Sequence, residues 1–208
     1  MQKNATKLFF GSQAGGSGQL RQYLLALPLS ESLRSAIEEM REKFSADYCC
    51  PQATAGAPLI PLILFSRSET VEPELVNQFE TLAGTLAPRV LSVTDFASLP
   101  THTIYLNVYS GKGSRRLSEA FKPMQSVLKL GPDQKPFFIP DLRIPLARKL
   151  LPWQYEQGWL RYRHTPFRSS FMADRVQLFK KTEGESFRQV RTFSFQVSRP
   201  PENQGSLF

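Results

Sequence analysis

Apolar side chains recur along this chain with two different periods, and the changes from one to the other mark out its elements. Tyr23-Leu24-Leu25-Ala26-Leu27-Pro28 is an apolar run of strand length closed by a proline. Ser30 then stands where a helix cap belongs, and Leu33, Ile37, Met40 and Phe44 follow at the spacings of an amphipathic helix. After a loop of small residues, Ala53 to Ala57, comes Pro58-Leu59-Ile60-Pro61-Leu62-Ile63-Leu64-Phe65, apolar enough for a central strand. Pro61 has no N–H to give a ladder, so a bulge or an edge is expected there.

Thr70 opens a second helix, with Pro73 in its first turn and Leu75, Phe79, Leu82 and Leu86 on one side. Strands follow over Val90–Phe96 and Thr103–Tyr109. In the second of these, Ile104, Leu106 and Val108 oppose Tyr105, Asn107 and Tyr109, so one face is apolar and the other is not. Leu117, Ala120, Phe121, Met124 and Leu128 predict a third helix, bent or restarted at Pro123. The stretch Pro136 to Arg148 then alternates in polarity, Asp141 and Arg143 against Leu142, Ile144 and Leu146, as a half-buried strand does. A helix entered at Pro152 carries Trp153, Tyr155, Trp159 and Leu160. Phe167 to Lys181 reads as one strand that turns at Glu183-Gly184 and returns through Phe187 to Val197. Residues 1–20 read as a flexible N-terminal tail, 21–198 as a single domain and 199–208 as a C-terminal tail. The order of elements in the first half is echoed in the second without a strong sequence repeat.

A chain of 208 residues with 41% hydrophobic and 12% aromatic content has material for a sizeable core. It has no apolar run of the roughly 20 residues that would cross a bilayer. Lys3 and Lys7 lead only into Leu8-Phe9-Phe10 and then polar residues, which is not a secretory signal, so a cytoplasmic location and no membrane partner are expected. Cys49 and Cys50 are adjacent, a spacing that suits neither a long disulfide loop nor a metal site, and no metal or cofactor is expected. Charge does change the picture. Residues 1–100 hold 8 Lys/Arg against 10 Asp/Glu, and residues 101–208 hold 18 against 8. A basic half beside a neutral one favours an anionic partner: RNA, a nucleotide or another phosphorylated small molecule.

Phe138-Ile139-Pro140 leading into Asp141-Leu142-Arg143 resembles the second motif of the two-histidine phosphoesterase superfamily, which includes the 2'-5' RNA ligase-like proteins and cyclic phosphodiesterases. There Phe-x-Pro leads into His-x-Thr. The first motif, Pro-His-x-Thr-Leu, aligns without gaps on Pro58 to Leu62. The resemblance covers residues 21 to 196 in element order as well. It implies an α+β bilobal fold: two pseudo-symmetric lobes of mainly antiparallel sheet, helices packed on the outside, and one motif strand from each lobe lining a central cleft.

In that superfamily two histidines supply the acid and the base, and threonines two residues on hold phosphate oxygens. This chain places Leu59 and Pro61 at the first pair of positions, and Asp141 and Arg143 at the second. A register shifted by two would place Arg143 and Pro145 there instead. Neither register restores a histidine. His102 begins a strand and His164 ends a helix, and neither fits a motif. The expectation is a degenerate active site, a pseudoenzyme that binds RNA, nucleotide or another phosphorylated ligand, with Arg143 and Arg148 as anion-binding residues. Two alternatives stand beside it. One is a phosphodiesterase or ligase with altered chemistry, using Asp141 as base and Arg143 as phosphate clamp. The other is a protein-interaction scaffold that uses an apolar former cleft.

Gly111-Lys112-Gly113-Ser114 lacks the earlier glycine of a phosphate loop and reads as a turn. Arg161-Tyr162-Arg163-His164, with Phe167-Arg168 beyond it, interleaves aromatic and cationic residues as single-strand RNA binders do. Arg161, Tyr162, Arg163 and Arg168 are therefore possible RNA contacts, against a plainer role for the cations in closing the helix end.

Overall fold

Strand β1 (Leu20–Pro28) and strand β2 (Leu59–Ser68) pair antiparallel, with Tyr23 opposite Phe65 and Leu25 opposite Ile63. They belong to a computed structural model that describes residues 19–109, 111, 116–131, 134–182 and 184–196. Most of the two expected tails, and residues 112–115 of the glycine-rich turn, lie outside the described residues. The remaining strands are β3 (Arg89–Leu99), β4 (Thr103–Tyr109), β5 (Phe137–Phe138), β6 (Arg143–Arg148), β7 (Arg168–Ala173), β8 (Arg175–Lys181) and β9 (Arg188–Ser194). They form two sheets, a first of order β5-β2-β1-β8-β9 and a second of order β6-β4-β3-β7, and the described pairings are antiparallel.

The helices are α1 (Glu31–Asp47), α2 (Glu72–Ala83), α3 (Arg116–Ala120), α4 (Gln125–Leu128) and α5 (Pro152–Tyr162). The expected third helix is broken into α3, a 3-10 turn over Lys122–Met124 and α4, because Pro123 has no N–H with which to continue the ladder. Phe79 of α2 packs its ring 6.2 Å from Phe65, 6.2 Å from Phe121 and 5.8 Å from Phe193, which closes one face of the first sheet. Phe44 of α1 and Tyr162 of α5 close one face of the second, their ring centroids 5.7 Å apart. At Gly158 of α5 an added Cβ would lie 2.7 Å from the ring of Phe44, so only glycine lets the two helices approach this closely.

The chain crosses between its own halves. Helix α1 joins two strands of the first sheet yet lies against β6 of the second, while α3 and α4 lead from β4 of the second sheet to β5 of the first and lie against β2 of the first. The strand expected over 167–181 is in fact two. Phe171 and Ala173 face the core, then Val176 and Leu178 do, so the alternation slips by one residue at Asp174. There β7 leaves the second sheet and β8 enters the first. The Asp174 carboxylate takes two hydrogen bonds from Arg175, at 2.7 and 2.9 Å, and its carbonyl accepts from the Phe195 N–H. Strand β2 meets β6 across the central cleft, and together the two sheets make a bilobal α+β fold with helices outside. Cys49 and Cys50 are both free thiols, the second buried.

Candidate functional site

The two strands that meet at the cleft are built alike. In β2, Pro61 pairs with Ala26 and Ile63 with Leu25, so Leu62 is a bulged residue without a partner of its own. In β6, Pro145 pairs with Tyr105 and Ala147 with Ile104, so Leu146 is bulged in the same way. The bulge expected at Pro61 is thus present, and it recurs at Pro145. Ile60-Pro61-Leu62 and Ile144-Pro145-Leu146 are the same tripeptide at the same place in two sheets. This is a local repeat that reading the chain for long repeats passes over. The correspondence sets Leu59 opposite Arg143 in role, Leu64 opposite Arg148, and Ala26 and Leu24 opposite Tyr105 and Thr103. By the same count Asp141 matches Ala57, ahead of the strand, and does not match Leu59.

Directly paired residues share a sheet face. On the cleft side of the first sheet, Phe137, Leu64, Leu24 and Phe179 therefore form one continuous apolar row over four strands. Phe137 is 52% exposed, and Leu24, Leu64 and Phe179 are half-buried. The cleft side of the second sheet differs in kind. Arg143 pairs with Asn107, Asn107 with Thr94, and Thr94 with Arg168. Tyr105 and Tyr109 stand on either side of Asn107 along β4.

Arg143 lies over the Tyr105 ring, 4.7 Å from its centroid, and donates to Asp141 at 2.8 Å. This pair sits in a pocket of about 380 Å³ lined also by Asn107, Tyr109 and Pro140. Asp141 is exposed and outside the ladder, which makes it the partner of Arg143 and gives it no strand position from which to face β2. Arg148 is exposed at the end of β6.

Behind β6, Arg41 of α1 is buried, and its guanidinium donates to the Pro145 carbonyl at 3.2 and 2.6 Å and to the Gly56 carbonyl at 3.0 Å. Burial, and then the charge of Arg148, push Arg41 down to about 10. Its place in the apolar stripe of α1, four residues after Ile37 and three before Phe44, marks it as inward-facing, a signal that its charge conceals when only apolar positions are counted.

The other expected residues scatter. Leu59 and Pro61 are half-buried on β2, and Pro145 is half-buried on β6. His102 is exposed in the turn before β4 with its Nδ1 2.6 Å from the Thr103 hydroxyl, and His164 is exposed beyond α5. Arg161 is paired with Asp47 of α1 at 2.7 Å. Tyr162 is turned inward, away from any ligand in solvent: it is 5% exposed, its ring held between Phe44 and Phe96, and burial raises its pKa. Arg163 closes α5 and Arg168 is exposed on β7. Among the described residues no three His, Cys, Asp or Glu side chains group to hold a metal ion, and no helix is long and apolar enough to cross a membrane.

No family model matches this chain, and no curated protein matches it in sequence. Solved structures do match it. TT0787 of Thermus thermophilus superposes at a TM-score of 0.56 with 18% identity, over 86% of this chain and 100% of its own. LigT of E. coli complexed with 3'-AMP superposes at 0.54 with 15% identity, over 84% of this chain and 98% of its own. A protein described as a phosphoesterase superposes at 0.55 with 15% identity, over 85% of this chain and 99% of its own. LigT has also been solved with NADP+ and with ATP. At these identities the likeness establishes the fold.

Proposed function

Starting from the two-histidine phosphoesterase fold, we propose that this protein binds a nucleotide, RNA or another phosphorylated ligand in its cleft and does not run the acid–base reaction of that superfamily. The observation that carries this is the pair of corresponding positions Leu59 and Arg143. Where the superfamily has two titrating imidazoles, this chain has an alkyl group and a permanent cation. Leucine transfers no proton, and arginine stays protonated at any physiological pH. Pro61 and Pro145, two residues on, have no hydroxyl to offer a phosphate. What remains suited to an anion is Arg143, which gives one N–H to Asp141 and keeps further donors for bidentate phosphate recognition, with Arg148 beyond it.

Asp141 is poorly placed to act as a base in an altered reaction, because its carboxylate is exposed and held by the cation that would have to grip the substrate. A second reading is favoured by the apolar row of Phe137, Leu64, Leu24 and Phe179, a surface a protein partner could cover.

The test is calorimetric titration with AMP and with inorganic phosphate at low salt, alongside incubation with a 2',3'-cyclic nucleotide. Binding that weakens about ten- to a hundredfold in Arg143→Ala is expected, since a hydrogen bond to a charged group contributes about 1.5–3 kcal/mol, together with no cyclic-phosphate turnover. Turnover lost in Asp141→Asn would overturn the proposal in favour of altered chemistry. Absence of any anion binding would overturn it in favour of the protein contact.

A further inference from the structure

The apolar wall of the cleft is a strip one side chain wide. Phe137, Leu64, Leu24 and Phe179 cross four strands, and the next row on the same face is polar, with Ser66 paired to Gln22 and Gln22 to Lys181. On the other side Ala26 pairs with Pro61 and with Gln177, and Gln177 with Thr192. Three strand spacings of about 4.8 Å make the strip about 14 Å long. A stable interface between two free proteins buries about 800 Å² on each. Four side chains, three of them already half-buried, fall well short of that. The strip has instead the length of four or five extended residues, so it fits a short apolar run that a tether delivers to it.

The place where the chain enters the fold supplies such a tether. Strand β1 begins at Leu20, which is 51% exposed, and alternation puts Leu20, Gln22 and Leu24 on the cleft face together. The Glu69 N–H donates to the Gln19 carbonyl at 3.0 Å and fixes the entry point. From Leu20 to Leu24 the strand covers about 13 Å. Upstream the sequence has one run of large apolar residues, Leu8-Phe9-Phe10, and then Gly11-Ser12-Gln13-Ala14-Gly15-Gly16-Ser17-Gly18-Gln19. Nine residues of Gly/Ser-rich composition have an r.m.s. reach of about 15–18 Å. That length matches the span to be covered, the condition under which a tethered segment has its highest effective concentration, about millimolar.

We propose that Leu8-Phe9-Phe10 of this same chain docks on the strip of Phe137, Leu64, Leu24 and Phe179 and covers the apolar wall of the cleft. In an extended run Leu8 and Phe10 point the same way, so two large side chains meet the strip at once. This commits the apolar wall to the chain itself in place of an outside protein, and it holds whether or not the opposite wall binds an anion. At an effective concentration of about 1 mM, a run that binds with a Kd of about 0.1 mM occupies the strip about 90% of the time.

The test uses the full chain, a full-chain variant with Leu8→Ser, Phe9→Ser and Phe10→Ser together, and a labelled synthetic peptide of residues 5–12 followed by fluorescence anisotropy. The peptide should bind the triple variant and bind the parent about tenfold more weakly, because the parent's own segment competes. An apolar dye such as ANS should bind the triple variant severalfold more than the parent. Adding Phe137→Ser to the triple variant, at a half-exposed position that does not endanger folding, should abolish peptide binding. Equal peptide binding by parent and triple variant, or peptide binding untouched by Phe137→Ser, would overturn the proposal. So would dye binding released by Leu207→Ser with Phe208→Ser and not by the triple variant, or a parent that sediments as a dimer until Phe137 is changed. None of these readouts involves a phosphate, so their failure leaves the anion site standing, and loss of the anion site leaves them unchanged.

Discussion

The two walls of the cleft share a backbone and differ in chemistry. Pro61 and Pro145 sit before equivalent bulges, yet Leu59, Leu64, Leu24 and Ala26 in the first sheet answer to Arg143, Arg148, Thr103 and Tyr105 in the second. A bulge, a proline and a buried isoleucine are therefore enough to hold the strand geometry, and the residues around them are free to carry unrelated side chains. The difference follows the charge of the chain, since the cationic wall is drawn from its basic half. It also separates two kinds of surface, one apolar and one cationic and hydrogen-bonding.

The largest effects should come from the cores behind the walls. Phe79→Ala beneath the first sheet and Phe44→Ala beneath the second should each cost about 3–5 kcal/mol. Because α1 joins strands of the first sheet and covers the second, and the chain passes repeatedly between the sheets, both variants should show one thermal transition by circular dichroism. Two transitions in either would mean that the walls are separate units. Arg41→Met should cost about 1–3 kcal/mol by leaving the Pro145 and Gly56 carbonyls without a donor. Hydrogen exchange should rise in β6 before it rises in β2, and a uniform rise would disconnect Arg41 from the cationic wall.

Leu59→Arg gives the first wall the charge of the second. Anion affinity should increase severalfold with a steeper salt dependence, whereas Leu59→Ala should change it less than twofold, both read by calorimetry. The smallest effect concerns acid. Glu69 accepts from Lys180 at 2.7 Å and from Arg21 at 2.9 Å, and these bonds, Lys180 first, hold its carboxyl below the usual range. A carboxyl so lowered contributes stability above its unfolded value and loses it as pH falls through the folded one. Glu69→Gln should accordingly lower the unfolding midpoint at neutral pH and not below the carboxylate range. An equal difference at both would remove Glu69 from the account.

Much of this fold is legible in the chain because its elements are locally consistent. The stripe of Leu33, Ile37 and Phe44, the apolar run of β2 and the alternation of β4 each specify an element without help from elsewhere. The slip at Asp174 is hidden, because Phe167 to Lys181 is continuously strand-forming and only the two sheets decide where it divides. Tyr162 resembles a ligand contact because its neighbours are cations, but a helix turns successive residues to different faces, and this one faces Phe44. The row from Arg143 to Arg168 is illegible for a different reason. Its four members come from four strands, and nothing short of the pairing register brings them into line.

The crossing of the halves sets a timetable for synthesis. Strands β1 and β2 leave the ribosome early, but the sheet they belong to needs β8 and β9 from the far end of the chain, and α1 has no sheet to cover until β6 arrives. The nascent N-terminal half must therefore wait with its greasy surfaces uncovered, which makes this a protein for which slow translation invites aggregation and early help from a chaperone matters.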